Sequence, residues 1–283
     1  MADMPVALVT GCSTGVGLYT AVRLAQAGHN VVATMRDVTK QGELQEVAKA
    51  AGAELDVRAL DVADAAAIDA CLVGVIESYG RLDVLINNAG AGLLASIEQT
   101  SDADLRQIME VNFFGVWNAT KAVVPHMRAA GSGRIISVSS IGGLVGQPFN
   151  DAYCASKFAV EGFMESFAPL ALNMGIRLSV VEPGPVNTAF VANVEAVSQD
   201  AVAAMAPPYD WMVDRYSELA GQSFSKMGQT PDEVAQIIVD LCCAEDPEFR
   251  VATAPMVGQT FALKASDPTG NAVIRNFAKV FAS

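Results

Sequence analysis

The stretch that decides the fold is PVALVTGCSTGVG, residues 5–17. It opens with an apolar run, residues 6–9, typical of a strand that is buried on both faces of a sheet. Gly11, Gly15 and Gly17 follow, directly before a helical pattern. Glycines let backbone N–H groups approach a phosphate closely, and a helix N-terminus adds partial positive charge. The G-x-x-x-G-x-G spacing also fits a plain strand-to-helix turn, but its position after the first strand favours a nucleotide site.

Short apolar runs alternate with longer helical patterns in the rest of the chain. Buried strands are nearly continuous in apolar side chains, and five further runs fit this description: residues 31–34, 57–60, 84–86, 135–138 and 178–181. Helical periodicity lies between them, at residues 17–27, 64–79, 104–128 and 151–174. The alternation predicts an α/β fold with a parallel, doubly wound sheet. Because no repeat or low-complexity linker interrupts it, residues 1–283 are interpreted as one domain.

Composition and charge exclude several classes of protein. The chain has 18 Lys and Arg against 31 Asp and Glu, which gives a net charge of −13, and 52% of its 283 residues are apolar. A chain this apolar is not disordered as a whole, and one this acidic is not expected to bind nucleic acid. No apolar run approaches the roughly 18 residues that span a bilayer. The N-terminus, which has no basic flank, does not match a secretory signal.

The cysteines and histidines argue against disulfides and against a metal site. There are five cysteines, an odd number, none of them in a CxxC spacing, and only two histidines, His29 and His126. These counts predict a cytoplasmic protein with reduced cysteines and no metal ion.

The end of the second predicted strand bears on the choice of nucleotide. NAD-binding βαβ units usually have an acidic residue here, which hydrogen-bonds the ribose 2′-OH. This chain has Met35 and Arg36 instead, and a guanidinium suits a 2′-phosphate. The hydroxyl of Thr14 could donate to the same phosphate. Arg36 also fits an ordinary surface residue, since Asp37 follows it, but the pattern favours NADP(H) over NAD(H).

A set of polar side chains in the middle of the chain indicates chemistry. Tyr153 and Lys157 are four residues apart near the start of a predicted helix, so they share one face of it. Ser140 follows a predicted strand, at the sheet edge where ligands bind in open α/β folds. Asn112 lies inside the predicted helix 104–128. Each residue alone is ordinary, but together with the glycine turn they predict an active site.

In these motifs the chain resembles the short-chain dehydrogenase/reductase family, over essentially its whole length. The matching motifs are residues 10–17, Asp61-Val62, Asn87-Asn88-Ala89-Gly90, Asn112, Ser140, Tyr153-x-x-x-Lys157, and Pro183-Gly184-Pro185 with Thr188. Residues 34–37, 142–159 and 267–270 are similar to the subgroup of 17β-hydroxysteroid and photoreceptor-type retinol dehydrogenases. The resemblance implies a Rossmann-type, doubly wound sheet of seven parallel strands flanked by helices. It also implies an NADP(H)-dependent oxidoreductase.

The resemblance assigns catalytic roles to four residues. Tyr153 would be the general acid in reduction and the general base in oxidation. Lys157 would lower the pKa of the Tyr153 phenol, which is about 10 in a free tyrosine, and hydrogen-bond the nicotinamide ribose. Ser140 would donate to the substrate oxygen as negative charge develops there. Asn112 would hold a water molecule that relays protons to Lys157.

The resemblance also implies which residues bind the cofactor. Asp61 would meet the adenine, residues 88–90 would line the adenosine side of the cleft, and residues 183–188 would hold the nicotinamide end. The full set expected to bind NADP(H) is Gly11, Ser13, Thr14, Gly15, Val16, Gly17, Arg36, Asp61, Val62, Asn88, Ala89, Gly90, Tyr153, Lys157, Pro183, Gly184, Val186 and Thr188.

The alternating pattern stops after the sixth predicted strand, and residues 187–229 contain no clear strand. Insertions of this length are usually functional, and we expect this one to fold over the substrate as a lid. Large side chains that fit either this lid or a core or subunit contact are Phe190, Tyr209, Trp211, Met212 and Phe224. The expected pocket wall comprises Ser140, Ile141, Gln147, Asn150, Tyr153 and Pro185.

Two helices are expected after the lid. Thr230, Pro231 and Glu233 match an N-cap, a first helical residue and a capping box. Residues 271–281 have helical spacing, and we expect this helix to pack over the pocket rather than to touch a membrane. Its apolar face comprises Val273, Ile274, Phe277, Val280 and Phe281.

The expected substrate is a bulky hydrophobic alcohol or ketone, first of all a 17β-hydroxysteroid or 17-ketosteroid. Estrogen-active members of the subgroup bind the distal steroid hydroxyl through a histidine in the insertion and a glutamate in the C-terminal helix. This chain has no histidine after His126 and no glutamate after Glu248. A different steroid, a retinol or retinal, or another hydrophobic carbonyl compound is therefore the alternative.

Other functions and partners follow from the same motifs. Small ketones or acyl-carrier thioesters are possible substrates of this fold, but the long apolar insertion and the lack of a basic patch disfavour an acyl carrier. A non-catalytic NADP(H)-binding sensor is disfavoured by the intact set of four catalytic residues. The family counterparts of helices 104–128 and 151–174 pair across a subunit interface, which implies a homodimer or homotetramer.

Overall fold

The centre of the computed structural model, which describes residues 4–281, is a parallel sheet. Its strands are β1 (Val6–Val9), β2 (Asn30–Met35), β3 (Asp56–Ala59), β4 (Val84–Asn87), β5 (Gly133–Val138), β6 (Ile176–Glu182) and β7 (Arg250–Ala252). They lie in the order β3-β2-β1-β4-β5-β6-β7, and every neighbouring pair is parallel. The predicted seven-stranded sheet is confirmed. Its connections reverse direction between β1 and β4, so a crevice opens there at the carboxyl ends of the strands.

Helices cover both faces of the sheet. They are α1 (Gly15–Gln26), α2 (Gly42–Ala50), α3 (Ala65–Tyr79), α4 (Asp102–Met109), α5 (Gly115–Ala130), α6 (Ile141–Leu144), α7 (Asp151–Leu172), α8 (Ala189–Ala203), α9 (Tyr209–Met227), α10 (Pro231–Cys243), α11 (Pro255–Ser266) and α12 (Asn271–Ala278). The predicted helices 17–27, 64–79 and 151–174 exist with shifted ends. The capping box of Thr230 and Glu233 at the start of α10 is confirmed. None of the described helices is long and apolar enough to cross a membrane.

The continuous apolar runs are explained by two hydrophobic cores, one on each face of the sheet. Val6 and Leu8 of β1 belong to one core, and Ala7 and Val9 belong to the other. Successive side chains of a strand point to opposite faces, so every residue of β1 must be apolar. The polar residues that follow such strands are therefore collected at the carboxyl edge of the sheet.

The predicted helix 104–128 is not continuous, and this part of the prediction is wrong. α4 ends at Met109, residues Glu110–Phe114 form a π-helical turn, and α5 begins at Gly115. A π-turn inserts an extra residue into a helix and is frequent at functional sites. Asn112, which is completely buried, lies in this turn. The break thus directs a polar side chain inward from an otherwise amphipathic pair of helices.

The insertion 187–229 consists mainly of α8 and α9, and its two ends are joined. Val186 and Gln229 form a parallel bridge, and the Asn187 amide donates to the Gln229 carbonyl at 2.9 Å. The Gln229 amide in turn donates to the Pro185 carbonyl at 2.9 Å. Because the insertion leaves and re-enters the domain at one point, α8 and α9 form a single flap beside the sheet edge.

The C-terminal apolar face does not act as one surface, contrary to the prediction. Val273 and Phe277 of α12 pack on the cluster that contains Ile141. Phe281, in a short 3-10 turn after α12, packs with Phe149 instead. Ile274 is 69% exposed. The α12 helix therefore covers the segment after Ser140 with only part of its predicted face.

Candidate active site

The glycine turn after β1 has the backbone geometry that only glycine tolerates. Gly11 and Gly15 have φ angles of +74° and +64°. A Cβ at Gly11 would lie 2.8 Å from the Ala89 Cα, and one at Gly17 would lie 2.4 Å from the Gly11 oxygen. The turn is thus packed directly against the segment that follows β4.

The beginning of α1 is open to an anion. Thr14 caps this helix without a side-chain hydrogen bond, and the first turn has no acidic residue. The N–H groups of that turn therefore have no side-chain acceptor and carry the positive end of the helix dipole. Ser13, Gly15 and Val16 belong to the same turn and are only partly buried. These residues fit the pyrophosphate of a dinucleotide, as the sequence predicts.

Asn88 stabilises the glycine turn through its side chain. Its Nδ2 donates to the carbonyl oxygens of Thr10 at 2.9 Å and Gly11 at 3.1 Å. The Thr10 hydroxyl accepts from the amides of Asn88 and Ala89, both at 3.0 Å. The sequence assigned Asn88 to the cofactor, but both amide hydrogens of its side chain are taken up by the protein.

A cavity of about 540 Å³ adjoins this turn. It is lined by Thr14, Gly15, Tyr19, Glu43, Asn187, Thr188, Ala189, Val191, Phe224 and Pro231. Thr14, Gly15 and Thr188, all of which are predicted to bind the cofactor, thus line the same cavity. The Thr188 side chain also packs against Gly15, where an added Cβ would lie 3.3 Å away. The segment after β6 thus meets the segment after β1 at the edge of the sheet.

The predicted adenosine-side residues occupy different environments. Arg36 is exposed after β2, and within residues 4–281 its side chain has no hydrogen bond or ion pair. Asp61 accepts the Ala63 amide at 3.0 Å, which orders the turn after β3. Val62 is buried against Gly115 at the start of α5, so its side chain serves the core. Of the three, Arg36 is the one whose charged group is exposed, although its charge also lowers the pKa of the neighbouring Asp37.

Ser140 and Tyr153 form the centre of the predicted catalytic set. Ser140 caps the short helix α6, and its Oγ accepts the Gly142 amide at 3.0 Å. Because that contact uses an oxygen lone pair, the hydroxyl proton of Ser140 is left to donate. Burial raises the pKa of Tyr153 to about 12, and a hydrogen bond with Ser140 acts in the opposite direction.

Lys157 is buried one turn beyond Tyr153 on α7. Its Nζ lies 5.8 Å from the centroid of the Tyr153 ring and donates to the Val138 carbonyl at 2.8 Å. Burial lowers the pKa of Lys157 to about 8, and the charge of Glu161 opposes this. The Lys157 ammonium is therefore held near the phenol, but burial makes it lose its proton more easily than an exposed lysine does.

Asn112 connects this set to the segment after β4. Its Nδ2 donates to the Ala91 carbonyl at 2.8 Å and to the Ser156 hydroxyl at 2.9 Å, and its Oδ1 accepts the Ala91 amide at 2.8 Å. A Cβ at Gly90 would lie 3.5 Å from this Oδ1 and 3.7 Å from the Lys157 Nζ. Asn112, Gly90 and Lys157 are thus neighbours. With both amide hydrogens taken, the Asn112 side chain can hold a water molecule only through its oxygen.

The predicted pocket wall contains a residue that sequence reasoning missed, Tyr216. Asn150 donates through Nδ2 to the Tyr216 hydroxyl and to the Pro148 carbonyl, both at 2.9 Å. The Gln147 Oε1 lies beside Gly142, where an added Cβ would be 3.2 Å away. Ile141 is buried in a core cluster rather than exposed to a pocket. Tyr216 is one of five tyrosines and belongs to the lid helix α9, so its only sequence signal is its place in the insertion.

The lid residues divide into three groups, and one of them reaches Tyr153. The Phe190 ring centroid lies 6.0 Å from that of Tyr153. Tyr209 and Met212 line a separate cavity of about 240 Å³ with Phe149 and Phe281, and Trp211 also contacts Phe281. Phe224 lines the cavity beside the glycine turn. The expected lid over the catalytic residues therefore rests on Phe190.

The segment that is predicted to hold the nicotinamide links β6 to Ser140. The Pro183 carbonyl accepts the Ile141 amide at 2.8 Å, which ties Pro183 and Gly184 to the start of α6. Pro185 and Val186 contact the far end of the lid, and the Thr188 hydroxyl accepts the Phe190 amide at 3.2 Å. The segment that is expected to hold the nicotinamide is therefore also the hinge of the lid.

Comparison with known proteins agrees with this architecture. Residues 5–199 match the family model of short chain dehydrogenases, and the chain belongs to that family. Bovine retinol dehydrogenase 8 is 41% identical over 282 residues, covering 97% of this chain and 90% of the relative. Human 17-beta-hydroxysteroid dehydrogenase type 1 is 38% identical over 272 residues, covering 94% and 82%. The resemblance to the hydroxysteroid and retinol dehydrogenase subgroup is confirmed.

Solved structures with the same fold contain nicotinamide nucleotides. A short-chain dehydrogenase/reductase from Burkholderia phymatum in complex with NAD superposes with a TM-score of 0.80 at 26% identity, covering 94% of each chain. A metagenomic short-chain oxidoreductase in complex with NADP has a TM-score of 0.68 at 29% identity, covering 88% of this chain and 96% of the other. A nicotinamide cofactor is therefore supported for this fold, in either form.

Proposed function

We propose that the protein is an NADP(H)-dependent oxidoreductase that interconverts an alcohol and a ketone or aldehyde on a bulky hydrophobic substrate. The observation that carries the proposal is the position of Tyr153, hydrogen-bonded to Ser140 and one helical turn from the buried Lys157. This group stands at the carboxyl edge of the sheet, beside the glycine turn. An acid or base, an oxyanion donor and a cation are thus gathered where α/β folds bind ligands.

The proton chemistry is assigned to Tyr153. In reduction, the Oη proton of Tyr153 passes to the substrate oxygen, and in oxidation Oη accepts the hydroxyl proton. Ser140 donates its hydroxyl proton to the same substrate oxygen and stabilises the charge that develops there. The Lys157 ammonium favours the phenolate form of Tyr153, against the burial that raises the phenol pKa. Asn112 holds the water molecule that exchanges protons with Lys157.

The cofactor carries negative phosphates and the chain as a whole is strongly acidic, so individual groups near the site must bind it. The N–H groups at the start of α1 bind the pyrophosphate, and Lys157 holds the nicotinamide ribose. Residues 183–188 orient the nicotinamide end. When bound, the nicotinamide supplies or accepts the hydride.

The preference for NADP(H) rests on Arg36. Its guanidinium follows β2, where an acidic residue would select a ribose 2′-OH, and it has no intramolecular ion pair within the described part of the chain. A free guanidinium matches the charge and geometry of a 2′-phosphate. Arg36 is therefore the residue that selects the cofactor.

The substrate class rests on the lid and on the relatives. Phe190 gives the lid an apolar contact at the catalytic tyrosine, and Asn150 with Tyr216 adds one polar pair. The similarity to human 17-beta-hydroxysteroid dehydrogenase type 1 supports a 17-ketosteroid or its 17β-alcohol. The higher identity to bovine retinol dehydrogenase 8 supports a retinoid as the second candidate. Because the histidine and glutamate anchors of estrogen-active members are missing, we favour substrates without a distal phenolic hydroxyl.

We also propose that the protein assembles as a homodimer or homotetramer in the cytoplasm. Six large apolar residues of α4, α5, α7 and the π-turn are exposed on its surface: Leu105, Phe114, Trp117, Phe158, Leu170 and Leu172. An apolar face of this kind is typical of a subunit interface. All five cysteines are unpaired, which suits a reducing compartment.

A substrate panel tests the proposed function. Purified protein would be mixed with NADPH and, separately, with ketosteroids, retinals and small ketones, and NADPH consumption would be followed by absorbance. We expect turnover on a bulky hydrophobic carbonyl compound and much less on small ketones. NADPH binding without turnover on any of these would reject the proposal and support a non-catalytic sensor.

A further inference from the structure

A cluster of charged side chains lies behind the catalytic lysine, on the side away from Tyr153. Glu161 of α7 is 5% exposed and Glu182 at the end of β6 is 3% exposed. Both carboxylates bind the guanidinium of Arg250 on β7, Glu182 at 3.1 Å. No part of the proposed mechanism uses these groups, although burying two carboxylates is costly.

The cluster carries more negative than positive charge. One guanidinium serves both buried carboxylates, and it also binds the largely exposed Glu165 at 2.5 Å. Burial raises the pKa of both Glu161 and Glu182, that of Glu182 to about 6. Arg250 therefore cannot neutralise the two buried acids by itself, and the pair needs another positive charge nearby.

Lys157 is that charge. Lys157 and Glu161 are four residues apart on α7, so they lie on the same face of the helix. Glu161 gives its Oε2 to Arg250, and its buried Oε1 faces Ser139, whose hydroxyl lowers the pKa of the Glu161 carboxyl. An added Cβ at Gly143 would lie 3.2 Å from this Oε1 and 2.5 Å from the Ser139 Oγ. Oε1 is thus next to the residue that precedes Ser140.

The surroundings of Lys157 offer little else to hold its charge. The Val138 carbonyl accepts one hydrogen bond from Nζ but has no formal charge. The Tyr153 phenol is neutral until it loses its proton. Burial opposes the ammonium form of Lys157, and the charge of Glu161 opposes that effect of burial. The negative charge of Glu161 thus offsets part of the free-energy cost of burying the Lys157 ammonium.

We propose that Glu161, held by Arg250 and Glu182, is a positioning residue that keeps Lys157 protonated and thereby sets the pH range in which Tyr153 works. The proposal rests on the proposed function, since it concerns the lysine that the proposed reaction uses. The proposal extends the site, which is otherwise formed mainly by the segments that follow the strands, to Glu161 of α7, Glu182 of β6 and Arg250 of β7.

The sign of the effect does not depend on which member of the pair loses its proton first. Removing the Glu161 charge destabilises the Lys157 ammonium, which lowers the pKa of Lys157. The same change stabilises a Tyr153 phenolate, which lowers the pKa of Tyr153. Without the Glu161 charge, the first proton to leave the Lys157–Tyr153 pair therefore leaves at lower pH, whichever of the two residues loses it. A merely structural ion pair would change the thermal stability without moving this proton.

The direct test is an NMR titration of Lys157 in the full chain. Protein labelled with 13C at the lysine Cε would be titrated, and the Lys157 signal would be assigned by its absence in Lys157→Met. We expect the Lys157 midpoint of Glu161→Gln to fall by about one pH unit or more relative to the unsubstituted protein. Glu161→Asp should restore most of the shift. The matched control is Glu165→Gln, which removes a ligand of Arg250 from the exposed side and should leave the midpoint unchanged.

A second variant covers the case in which Glu161→Gln does not fold. Glu182→Gln leaves Arg250 to neutralise Glu161 more completely, so the Lys157 midpoint should fall by a smaller amount. A Lys157 midpoint that is the same in the unsubstituted protein and in whichever of these variants folds would overturn the inference.

Turnover separates this inference from the proposed function. With an active substrate, the alkaline limb of the pH profile for reduction should move to lower pH in Glu161→Gln but not in Glu165→Gln. If the unsubstituted protein turns over no substrate, the proposed function fails while the NMR titration still decides the role of Glu161. If it turns over and both Lys157 titration and pH profile are unchanged in Glu161→Gln, the inference fails and the function stands.

Discussion

The Phe190 ring, on the first helix of the lid, lies with its centroid 6.0 Å from the ring of Tyr153. Behind it, a Cβ at Gly92 would come within 2.8 Å of the Phe190 ring and 2.6 Å of Val194. The absence of a side chain at position 92 lets α8 settle onto the segment after β4. Phe190 is thereby held beside Tyr153, the proposed acid and base.

Replacing Phe190 should change the titration of Tyr153. Burial raises the pKa of Tyr153 from 10.0 to about 12, so admitting water in Phe190→Ala lowers it again. Oxidation needs the phenolate, and its rate should therefore begin to rise at lower pH, while KM for a bulky substrate increases. The measurement is the pH profile of alcohol oxidation. Trp211→Ala, on the same lid but packed on Phe281, is the control and should keep the original profile.

Replacing Arg36 should weaken one cofactor and spare the other. A charge-assisted hydrogen bond is worth about 1.5–3 kcal/mol, so Arg36→Leu should raise the Kd for NADPH by roughly ten- to a hundredfold. The Kd for NADH should change little, because that cofactor has no 2′-phosphate. Fluorescence titration with both nucleotides measures this. An equal loss for both would show that Arg36 does not select the cofactor, and Arg128→Leu, exposed on α5, controls for the lost charge.

At alkaline pH, the unsubstituted protein should have a lower free energy of unfolding than the variant Glu182→Gln. The pKa of Glu182 is raised from 4.5 to about 6, so the folded protein binds this proton more tightly than the unfolded chain. Stability is therefore lost as the pH rises through this window, by about 2 kcal/mol when the group is fully ionised. Glu182→Gln should raise the free energy of unfolding by up to this amount at pH 8 and much less at pH 4.

Urea unfolding of both proteins at the two pH values measures this effect. Glu165→Gln is the control, since an exposed ion pair is worth at most about 1 kcal/mol. A variant Glu182→Gln that is less stable than the unsubstituted protein at pH 8 would mean that Arg250 compensates fully for the buried charge.

The exposed apolar face should mediate self-association. Trp117 is 43% exposed, and its ring centroid lies 4.7 Å from that of Phe163 on α7. Trp117→Glu places a charge in this face, which should convert a dimer or tetramer to smaller species. Light scattering after size-exclusion chromatography gives the mass. Ile274→Glu, on α12, should keep the original assembly, and a monomeric unsubstituted protein would reject the proposed interface.

The sequence predicted the centre of the sheet because strands such as β1 and β4 are buried along their whole length and therefore consist of nearly continuous apolar runs. β7 has only three residues and α6 only four, so neither is long enough to show a hydrophobic pattern from which it could be predicted. The π-turn was missed because the apolar positions Leu105, Ile108, Met109 and Phe113 keep helical spacing into the turn itself. A single inserted residue does not interrupt that pattern.

Residues of the candidate site could be predicted from the sequence where only one or a few residue types can fill the position. Gly11 and Tyr153 are examples, since a positive φ and an acid–base group each leave few choices. Asn88 shows the limit of this reasoning, because its motif does not reveal that its amide is used to hold the glycine turn. Glu161 and Glu182 were missed for a related reason. Their burial depends on Arg250, which is distant in sequence and joins them only in the folded sheet.

The most direct test of Tyr153 as acid and base is turnover by Tyr153→Phe beside the unsubstituted protein. NADPH consumption would be followed with a hydrophobic ketone from the panel, and NADPH binding would be measured on the same samples. We predict that Tyr153→Phe loses at least about a hundredfold in kcat, as expected for removal of a general acid. Its Kd for NADPH should stay within a few fold. Unchanged turnover in Tyr153→Phe would contradict the assignment of Tyr153 as the acid and base.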